Sequence, residues 1–257
     1  MSAWAERLRV PISIAIVLGA WELIYLLGVV PEKYFPSIPR IVQAFFEMLG
    51  SGELLRGDAL TFGRALIGLT GAAILGIVLA ILSDLNPTFG RGFRFISDVL
   101  QPIPPAAFVP MAVFSLGLGM KLYAFVIILV TVWPPYLNGT AALSAVSGVQ
   151  LDTGRMLGCN RWDLLWRIKL PAAMPEIFAG IRYAATISLI AVIVSEMLAG
   201  RDGIGFMIFK KAFAIRTPEV FALMFTVSLN GILLNGLVNL LRRWITGWHI
   251  GMMERTP

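Results

Sequence analysis

Long apolar stretches separated by short polar segments dominate the pattern of the chain. Six of these stretches are long enough to cross a membrane, because about 20 residues at a rise of about 1.5 Å per residue cover a hydrocarbon core of about 30 Å. We predict spans at about residues 10–30, 62–84, 95–116, 122–144, 174–199 and 219–241. An even number of spans places both termini on one side of the membrane.

Prolines interrupt the third and fourth predicted spans. The third contains four prolines, including Pro105 and Pro110, and the fourth contains Pro134 and Pro135 close to Asn138. A proline removes a backbone donor and kinks a helix, and carbonyls freed at membrane depth are tolerated only beside protein or water. We predict that the third span lines a solute pathway, with a kinked packing helix as the alternative.

Polar side chains also lie within the fifth and sixth predicted spans. Arg182 and Thr186 are four residues apart and share a helical face, whereas Glu196 is expected near the far interface. Asn230 lies in the sixth span. Because polar groups in a membrane usually face the interior of a helix bundle, these residues are candidates for the pathway, together with Pro105, Pro110 and Asn138.

Two further patterns concern the first half of the chain. Apolar residues at positions 41, 45, 48 and 49 share one face, which predicts a surface helix after the first span. The second predicted span is rich in glycine and alanine, which permit helices to approach closely in lipid.

The most polar segment between two apolar stretches is formed by residues 152–171, here called the polar loop. Its pattern predicts a helix, a break at Gly158, a second short helix capped by Asn160, and a stop at Pro171. A folded loop that carries charges and tryptophan on a membrane protein is expected to contact a soluble partner.

Composition fixes the class of protein. The chain is 58% hydrophobic and 14% charged, with a mean hydropathy of +0.81, which predicts an all-α polytopic membrane protein. The start leads into an apolar stretch without a cleavage site, so we expect an uncleaved first span. The single cysteine, Cys159, excludes an intramolecular disulfide, and His249 has no partner at metal spacing, so no metal site is expected.

The distribution of basic residues indicates the orientation. The net charge of +6 is spread between the spans, which suits lipid head groups better than nucleic acid. Lysine and arginine favour the side that holds the termini and the polar loop, which we therefore place in the cytoplasm. Lys210, Lys211 and Arg216 then belong to a basic loop on the outer side, over residues 201–217.

The polar loop carries a resemblance to a known family. Gly158, nine residues, and then Ile168-Lys-Leu-Pro171 resemble the cytoplasmic signature of permease subunits of type I ATP-binding-cassette (ABC) importers, which is Glu-Ala-Ala, three residues, Gly, nine residues, Ile-x-Leu-Pro. The first triplet departs, because Asp152-Thr153-Gly154 stands at the Glu-Ala-Ala position. The chain is also similar to the nitrate, sulfonate, taurine and bicarbonate branch of this family in its stretches at 35–40, 101–110, 116–119, 170–177, 195–198 and 203–206.

The resemblance implies that the short helix after Gly158 is a coupling helix, seated in a cleft of a cytoplasmic ATPase. The residues that this implies for the contact are Asp152, Arg155, Gly158, Asn160, Arg161, Trp162, Asp163, Leu164 and Pro171. The sequence contains no Gly-x-x-x-x-Gly-Lys-Ser/Thr phosphate loop, so ATP and Mg²⁺ are expected on the partner ATPase. The chain itself is expected to be neither an enzyme nor a cofactor-binding protein.

The resemblance also implies an assembly in the bacterial inner membrane. It consists of two copies of this chain, two ATPase subunits, membrane lipid, and a periplasmic solute-binding protein that Lys210, Lys211 and Arg216 could dock, although a solvated face explains these residues equally well. The implied regions are an N-terminal segment (1–55) with the first span and the surface helix, a permease core (56–243) and a cytoplasmic tail (244–257).

Three alternatives remain open on the sequence. The solute could be a small sulfonate, nitrate or a neutral aromatic compound. The chain could instead be an ion-gradient-driven secondary transporter or channel, with its site at the broken third and fourth spans. It could also be a membrane scaffold that recruits a partner through the polar loop without moving a solute.

Overall fold

The computed structural model describes residues 3–253, with side-chain surroundings for residues 11–247, and these residues form helices joined by short connections. The end of the predicted tail, residues 254–257, and the side chain of His249 lie outside this description. The helices are α1 (Ala3–Leu26), α2 (Ile38–Gly50), α3 (Glu53–Leu85), α4 (Pro87–Leu100), α5 (Pro105–Leu116), α6 (Met120–Thr131), α7 (Trp133–Ser144), α8 (Gly148–Met156), α9 (Arg161–Asp163), a π-helical turn (Leu164–Lys169), α10 (Leu170–Ala199), α11 (Ile204–Phe213) and α12 (Thr217–Met253).

Within the described residues, four helical rods are long and apolar enough to cross a membrane. They cover Glu53–Leu85, Met120–Ser144, Arg161–Ala199 and Thr217–Gly247. The pair α4 and α5 forms a bent fifth candidate, and Pro11–Leu26 is a shorter apolar helix. The six predicted spans thus correspond to four long rods, one broken pair and one short helix.

The predicted third span over residues 95–116 is broken, as its prolines indicated, but the helical pair begins earlier than predicted. Helices α4 and α5 are bent by 101° with respect to each other. Pro104 is extended, with ψ of 142°, because the proline that follows it disfavours the helical region. Helix α4 starts much earlier than predicted, since the side chain of Asn86 caps it by accepting hydrogen bonds from Thr88 N (3.1 Å) and Phe89 N (3.2 Å).

The break in the fourth span lies at Val132, between α6 and α7, two residues before the predicted position. Pro134 and Pro135 are tolerated because they fall in the first turn of α7, where backbone N–H groups have no helical acceptor. The two pieces still form one 25-residue rod.

The core lies where α3, α6, α7 and α10 pack together. Glycine is required at the closest contacts: a Cβ on Gly68 would lie 2.3 Å from Ile127 Cγ2, and one on Gly180 would lie 2.7 Å from Pro134 O. The prediction that small residues in α3 allow close helix approach is therefore confirmed.

The surface helix α2 forms as predicted and is held between α1 and α12. Glu22 accepts a hydrogen bond from Ile38 N (3.0 Å), and the Trp21 indole donates to Pro36 O (3.0 Å). Ala44 and Met48 are buried in a small apolar cluster with Leu223 of α12. Helix α3 follows at Glu53, nine residues earlier than the predicted second span, since the polar first turns belong to the same helix.

Candidate functional site

The polar loop begins with α8 and turns at Gly158. The backbone of Gly158 has φ of +82°, a conformation that residues with a side chain rarely adopt. Cys159 N donates a hydrogen bond to Gly154 O (3.0 Å), which closes the end of α8. The predicted break at Gly158 is confirmed.

Asn160 starts the second helix of the loop, as predicted. Its side chain accepts hydrogen bonds from Trp162 N (2.9 Å) and Asp163 N (3.0 Å), and the Asp163 carboxylate accepts in return from Asn160 N (3.4 Å). This reciprocal capping box satisfies the free N–H groups of the first turn and fixes the direction of α9.

The predicted stop at Pro171 is wrong, because one helical rod continues from Arg161 to Ala199. Pro171 cannot donate to the carbonyl of Arg167, and its ring would clash with that carbonyl in a regular α-helix. The preceding turn instead widens to π geometry, with Leu170 N donating to Leu165 O. The coupling candidate is therefore a continuous extension of a membrane span.

Two contacts hold the polar loop against the end of α3, and a third contact joins its two helices. Lys169 Nζ lies 2.7 Å from Asp84 Oδ1, and the Arg161 guanidinium donates to the carbonyl of Leu85. On the opposite helix of the loop, a Cβ on Gly154 would lie 2.5 Å from Ile168 Cδ1 and 2.7 Å from Leu164 Cδ2. Gly154, the last residue of the divergent triplet, therefore lets α8 pack directly on the following helix.

The outer side of the loop is apolar and uncovered within the chain. The loop face, defined as Met156, Leu157, Trp162 and Trp166, consists of side chains that are 56–88% exposed. Ion pairs flank it, from Arg155 to Asp152 (2.8 Å) and from Arg167 to Asp163 (3.2 Å). The sequence prediction placed the contact between Gly158 and Trp166, together with Asp152 and Arg155, but omitted Met156 and Leu157, which precede the turn at Gly158.

The remaining predicted contact residues do not form part of this face. Leu164 is half-buried toward Gly154, and Pro171 is half-buried in the rod. Asn160 is exposed, but its side-chain oxygen accepts the hydrogen bonds that cap α9. These residues position the loop face.

The candidate pathway residues separate into two groups. Arg182 and Thr186 line an open groove of about 840 Å³ between α10 and α12. Arg242 lines the same groove, although the sequence pattern suggested only an interface anchor there. The other lining residues are Phe178, Ala179, Tyr183, Ser228, Gly231, Ile232, Asn235, Gly236 and Asn239.

Glu196 and Asn230 do not line this groove. Glu196 is fully buried, and its carboxylate accepts from Arg64 Nη1 (2.6 Å), Thr61 Oγ1 (2.8 Å) and Gly205 N (2.9 Å). Asn230 is buried and donates to Asp58 Oδ1 (2.6 Å). Both side chains are instead engaged in buried contacts that tie α10 and α12 to α3, so neither is open to a solute in this structure.

The proline and asparagine candidates also lie away from the groove. Pro105 begins α5, and Pro110 is an exposed residue within α5. Asn138 donates to Pro134 O (2.9 Å), beside the close approach of Gly180. Broken backbone alone therefore did not locate the groove between α10 and α12.

The predicted basic loop over residues 201–217 contains a helix, α11. Lys211 is buried, with Nζ 3.3 Å from Glu53 Oε2 and 3.5 Å from Glu219 Oε2, so it is a structural contact and not a free docking residue. Lys210 and Arg216 are exposed, and Arg216 lies 3.5 Å from Glu219. In the part of the chain that is described, no cluster of three His, Cys, Asp or Glu residues could hold a metal.

Comparison with known proteins agrees with this geometry. The taurine transport system permease protein TauC of Escherichia coli K12 is 26% identical over 254 residues, covering 96% of this chain and 92% of that protein. The nitrate import permease protein NrtB of Leptolyngbya laminosa is 30% identical over 243 residues, covering 90% and 86%. The putative aliphatic sulfonates transport permease protein SsuC of Bacillus subtilis 168 is 27% identical over 246 residues, covering 96% and 88%.

A solved structure supports the fold independently. An inward-facing structure of the MetNI methionine ABC transporter matches with a TM-score of 0.66 at 15% identity, covering 76% of this chain and 96% of that chain. Residues 72–247 match the family described as "Binding-protein-dependent transport system inner membrane component", which confirms the resemblance carried by the polar loop. The chain therefore belongs to this family and is a multi-pass permease of the type I ABC importer class.

Proposed function

We propose that the loop face seats in an ATPase subunit and transmits nucleotide-driven movement into the membrane. The observation that carries this proposal is the continuity of the rod from Arg161 to Ala199, because a force applied at Trp162 reaches the membrane span without a flexible joint. The loop face also has the composition of a protein contact, with exposed tryptophan at its centre and ion pairs at its rim.

Membership of the family supports a larger assembly. It contains a second copy of this chain, two ATPase subunits that bind ATP and Mg²⁺, and a periplasmic solute-binding protein. Lys210 and Arg216, exposed at the opposite end of the rods from the polar loop, are available for that protein. The assembly resides in the bacterial inner membrane with both termini of this chain in the cytoplasm.

The solute is a small anion of the sulfonate or nitrate type. The names of three relatives, which refer to taurine, nitrate and aliphatic sulfonates, support this class. The cationic groove between α10 and α12 supports it from the chain itself, since it contains Arg182 and Arg242. The family match disfavours transport driven by an ion gradient.

Reconstitution of the complete transporter in liposomes tests coupling. Trp162→Asp is expected to abolish the stimulation of ATP hydrolysis by loaded binding protein, because a charge would enter an apolar contact. Gly158→Trp is expected to have the same effect, because it forces a side chain into a φ of +82°.

Two matched variants control for folding. Trp162→Phe retains an aromatic contact and should keep most of the stimulation, and Trp244→Ala removes an exposed tryptophan outside the polar loop. Coupling through the loop face is disproved if Trp162→Asp assembles and is stimulated like Trp244→Ala. Solute uptake by the chain alone, without ATP, would disprove the proposal that this chain is part of an ATP-driven importer.

A further inference from the structure

The groove between α10 and α12 has an unusual charge for a surface within membrane spans. Arg182 and Arg242 contribute two guanidinium groups, and the described lining residues include no carboxylate. A charged side chain near the centre of a membrane span is costly to insert, so such residues are rare and mark ion or substrate routes.

Neither arginine is neutralised within the described part of the chain. The ion pairs found there involve Arg40, Arg64, Arg155, Arg167, Arg216 and two lysines, but neither Arg182 nor Arg242. Arg242 Nε is buried and has no hydrogen-bond partner among these residues. Both guanidinium groups of the groove are therefore without an acidic partner in the described part of the chain.

The rest of the lining suits a small polar ligand. Hydroxyl groups come from Tyr183 and Thr186. The space beside Gly236 is open, because a Cβ built there meets nothing within 4 Å. A monoanion can thus meet two cations and neutral donors without a bulky side chain in the way.

We propose that this groove is an anion subsite on the translocation path, in which Arg182 and Arg242 hold the solute after it leaves the outer side. This inference rests on the proposed function, because it assigns the solute of that importer to specific residues. The occupant is a small monoanion with sulfonate or nitrate chemistry, which arginine binds through parallel N–H donors.

The depth of the groove favours a solute over a lipid head group. Arg182 lies 12 residues beyond Leu170, which corresponds to about 18 Å along the rod. Lipid phosphates occupy the interfacial layer, whereas Arg182 lies eight residues, about 12 Å, inside the predicted fifth span over residues 174–199.

Charged thiol reagents can measure the potential of the groove directly. Thr186→Cys is introduced with Cys159→Ser, since Thr186 is one turn from Arg182 and Cys159 is the only cysteine. The complex with its ATPase is placed in phosphatidylcholine nanodiscs. The rates of modification by sulfonatoethyl and trimethylammonioethyl methanethiosulfonate are then compared.

We expect the anionic reagent to react faster than the cationic one. Arg182→Gln should lower the ratio of the anionic to the cationic rate on the order of tenfold, because a unit charge about one helical turn away attracts one reagent and repels the other. Arg242→Gln should lower it as well. Arg182→Lys should retain it, and Arg243→Gln is the matched control, because Arg243 is adjacent in sequence but does not line the groove.

Three results would overturn the subsite. The first is an unreactive Thr186→Cys, which means that the groove is closed to water. The second is a ratio near one that Arg182→Gln leaves unchanged, as expected if a second copy supplies a carboxylate. The third is loss of the preference when phosphatidylglycerol replaces part of the phosphatidylcholine, which assigns the groove to lipid.

Uptake of radiolabelled ethanesulfonate by the loaded transporter separates this inference from the proposed function. A wild-type transporter that imports neither this probe nor nitrate or taurine contradicts the proposed solute class, whatever the thiol rates. A wild-type transporter that imports the probe, with Arg182→Gln equal to Arg243→Gln in uptake, contradicts the subsite alone.

Discussion

At the scale of single residues, the polar groups buried in the membrane spans serve two different purposes. Glu196 is enclosed and paired with Arg64, and the same guanidinium reaches Asp202 Oδ1 at 2.5 Å and lies 4.1 Å from the centre of the Tyr123 ring. Arg182, by contrast, opens into a groove. The first kind of residue maintains the fold, and the second kind is available to a solute.

This difference predicts the effect of Glu196→Gln. Glutamine removes the buried ion-pair partner of Arg64, whose guanidinium then keeps only the half-exposed Asp202, so the variant should lose on the order of 3 kcal/mol of stability. The thermal midpoint of the purified protein in detergent should therefore fall by roughly 6 °C. Transport per folded molecule should remain near the wild-type value.

Arg40→Met is the matched control, because the pair of Arg40 with Glu32 is about half exposed on both sides. Exposed pairs contribute about 0–1 kcal/mol, so this variant should melt close to the wild type. If Glu196→Gln melts like Arg40→Met but transports poorly, Glu196 has a role in the solute pathway and not only in the stability of the fold.

The sequence could not separate these two kinds of residue. Polarity within an apolar stretch marks Glu196 and Arg182 alike, whereas the partner of Glu196 is 132 residues away along the chain. Lys211 was misjudged for the same reason, since its partners Glu53 and Glu219 lie on other helices. Partner identity is a tertiary property that spacing does not encode.

At the scale of elements, local chemistry predicted ends and turns well and predicted helix direction poorly. Gly158 and Asn160 act through contacts within four residues, and both were placed correctly. Pro171 was expected to end a helix, but a π turn absorbs it. The 101° bend between α4 and α5 likewise depends on packing that a count of prolines does not give.

The contact between α8 and the following helix provides a prediction for the divergent triplet. Gly154→Leu should separate the two helices, because even a Cβ there lies 2.5 Å from Ile168 Cδ1. The loop face would then be displaced, so the stimulation of ATP hydrolysis by loaded binding protein should fall about tenfold or more, as expected for a misplaced element.

Gly148→Leu, on the same helix, is the control for this prediction. A Cβ at Gly148 meets nothing within 4 Å, so the variant should couple normally. If both variants couple normally in assembled transporters, close packing of α8 is not needed to present the loop face.

At the scale of the whole molecule, two sets of contacts define opposite ends of the rods. Arg161 contacts the carbonyl of Leu85 at one end of α3, whereas Lys211 pairs with Glu53 at the other end. We therefore expect the polar loop and α11 on opposite sides of the membrane. The charge distribution favours the cytoplasm for the polar loop, which an impermeant maleimide can test in intact cells.

Two single-cysteine variants in a Cys159→Ser background make the test symmetrical. Val149→Cys reports on the polar-loop end and Phe213→Cys on the α11 end, since their native side chains are 76% and 77% exposed. Only Phe213→Cys should react in intact cells, and Val149→Cys should react after permeabilisation. The reverse pattern would show the opposite orientation, in which the loop face cannot contact a cytoplasmic ATPase. Labelling of both variants in intact cells would contradict the separation of the two ends by the membrane.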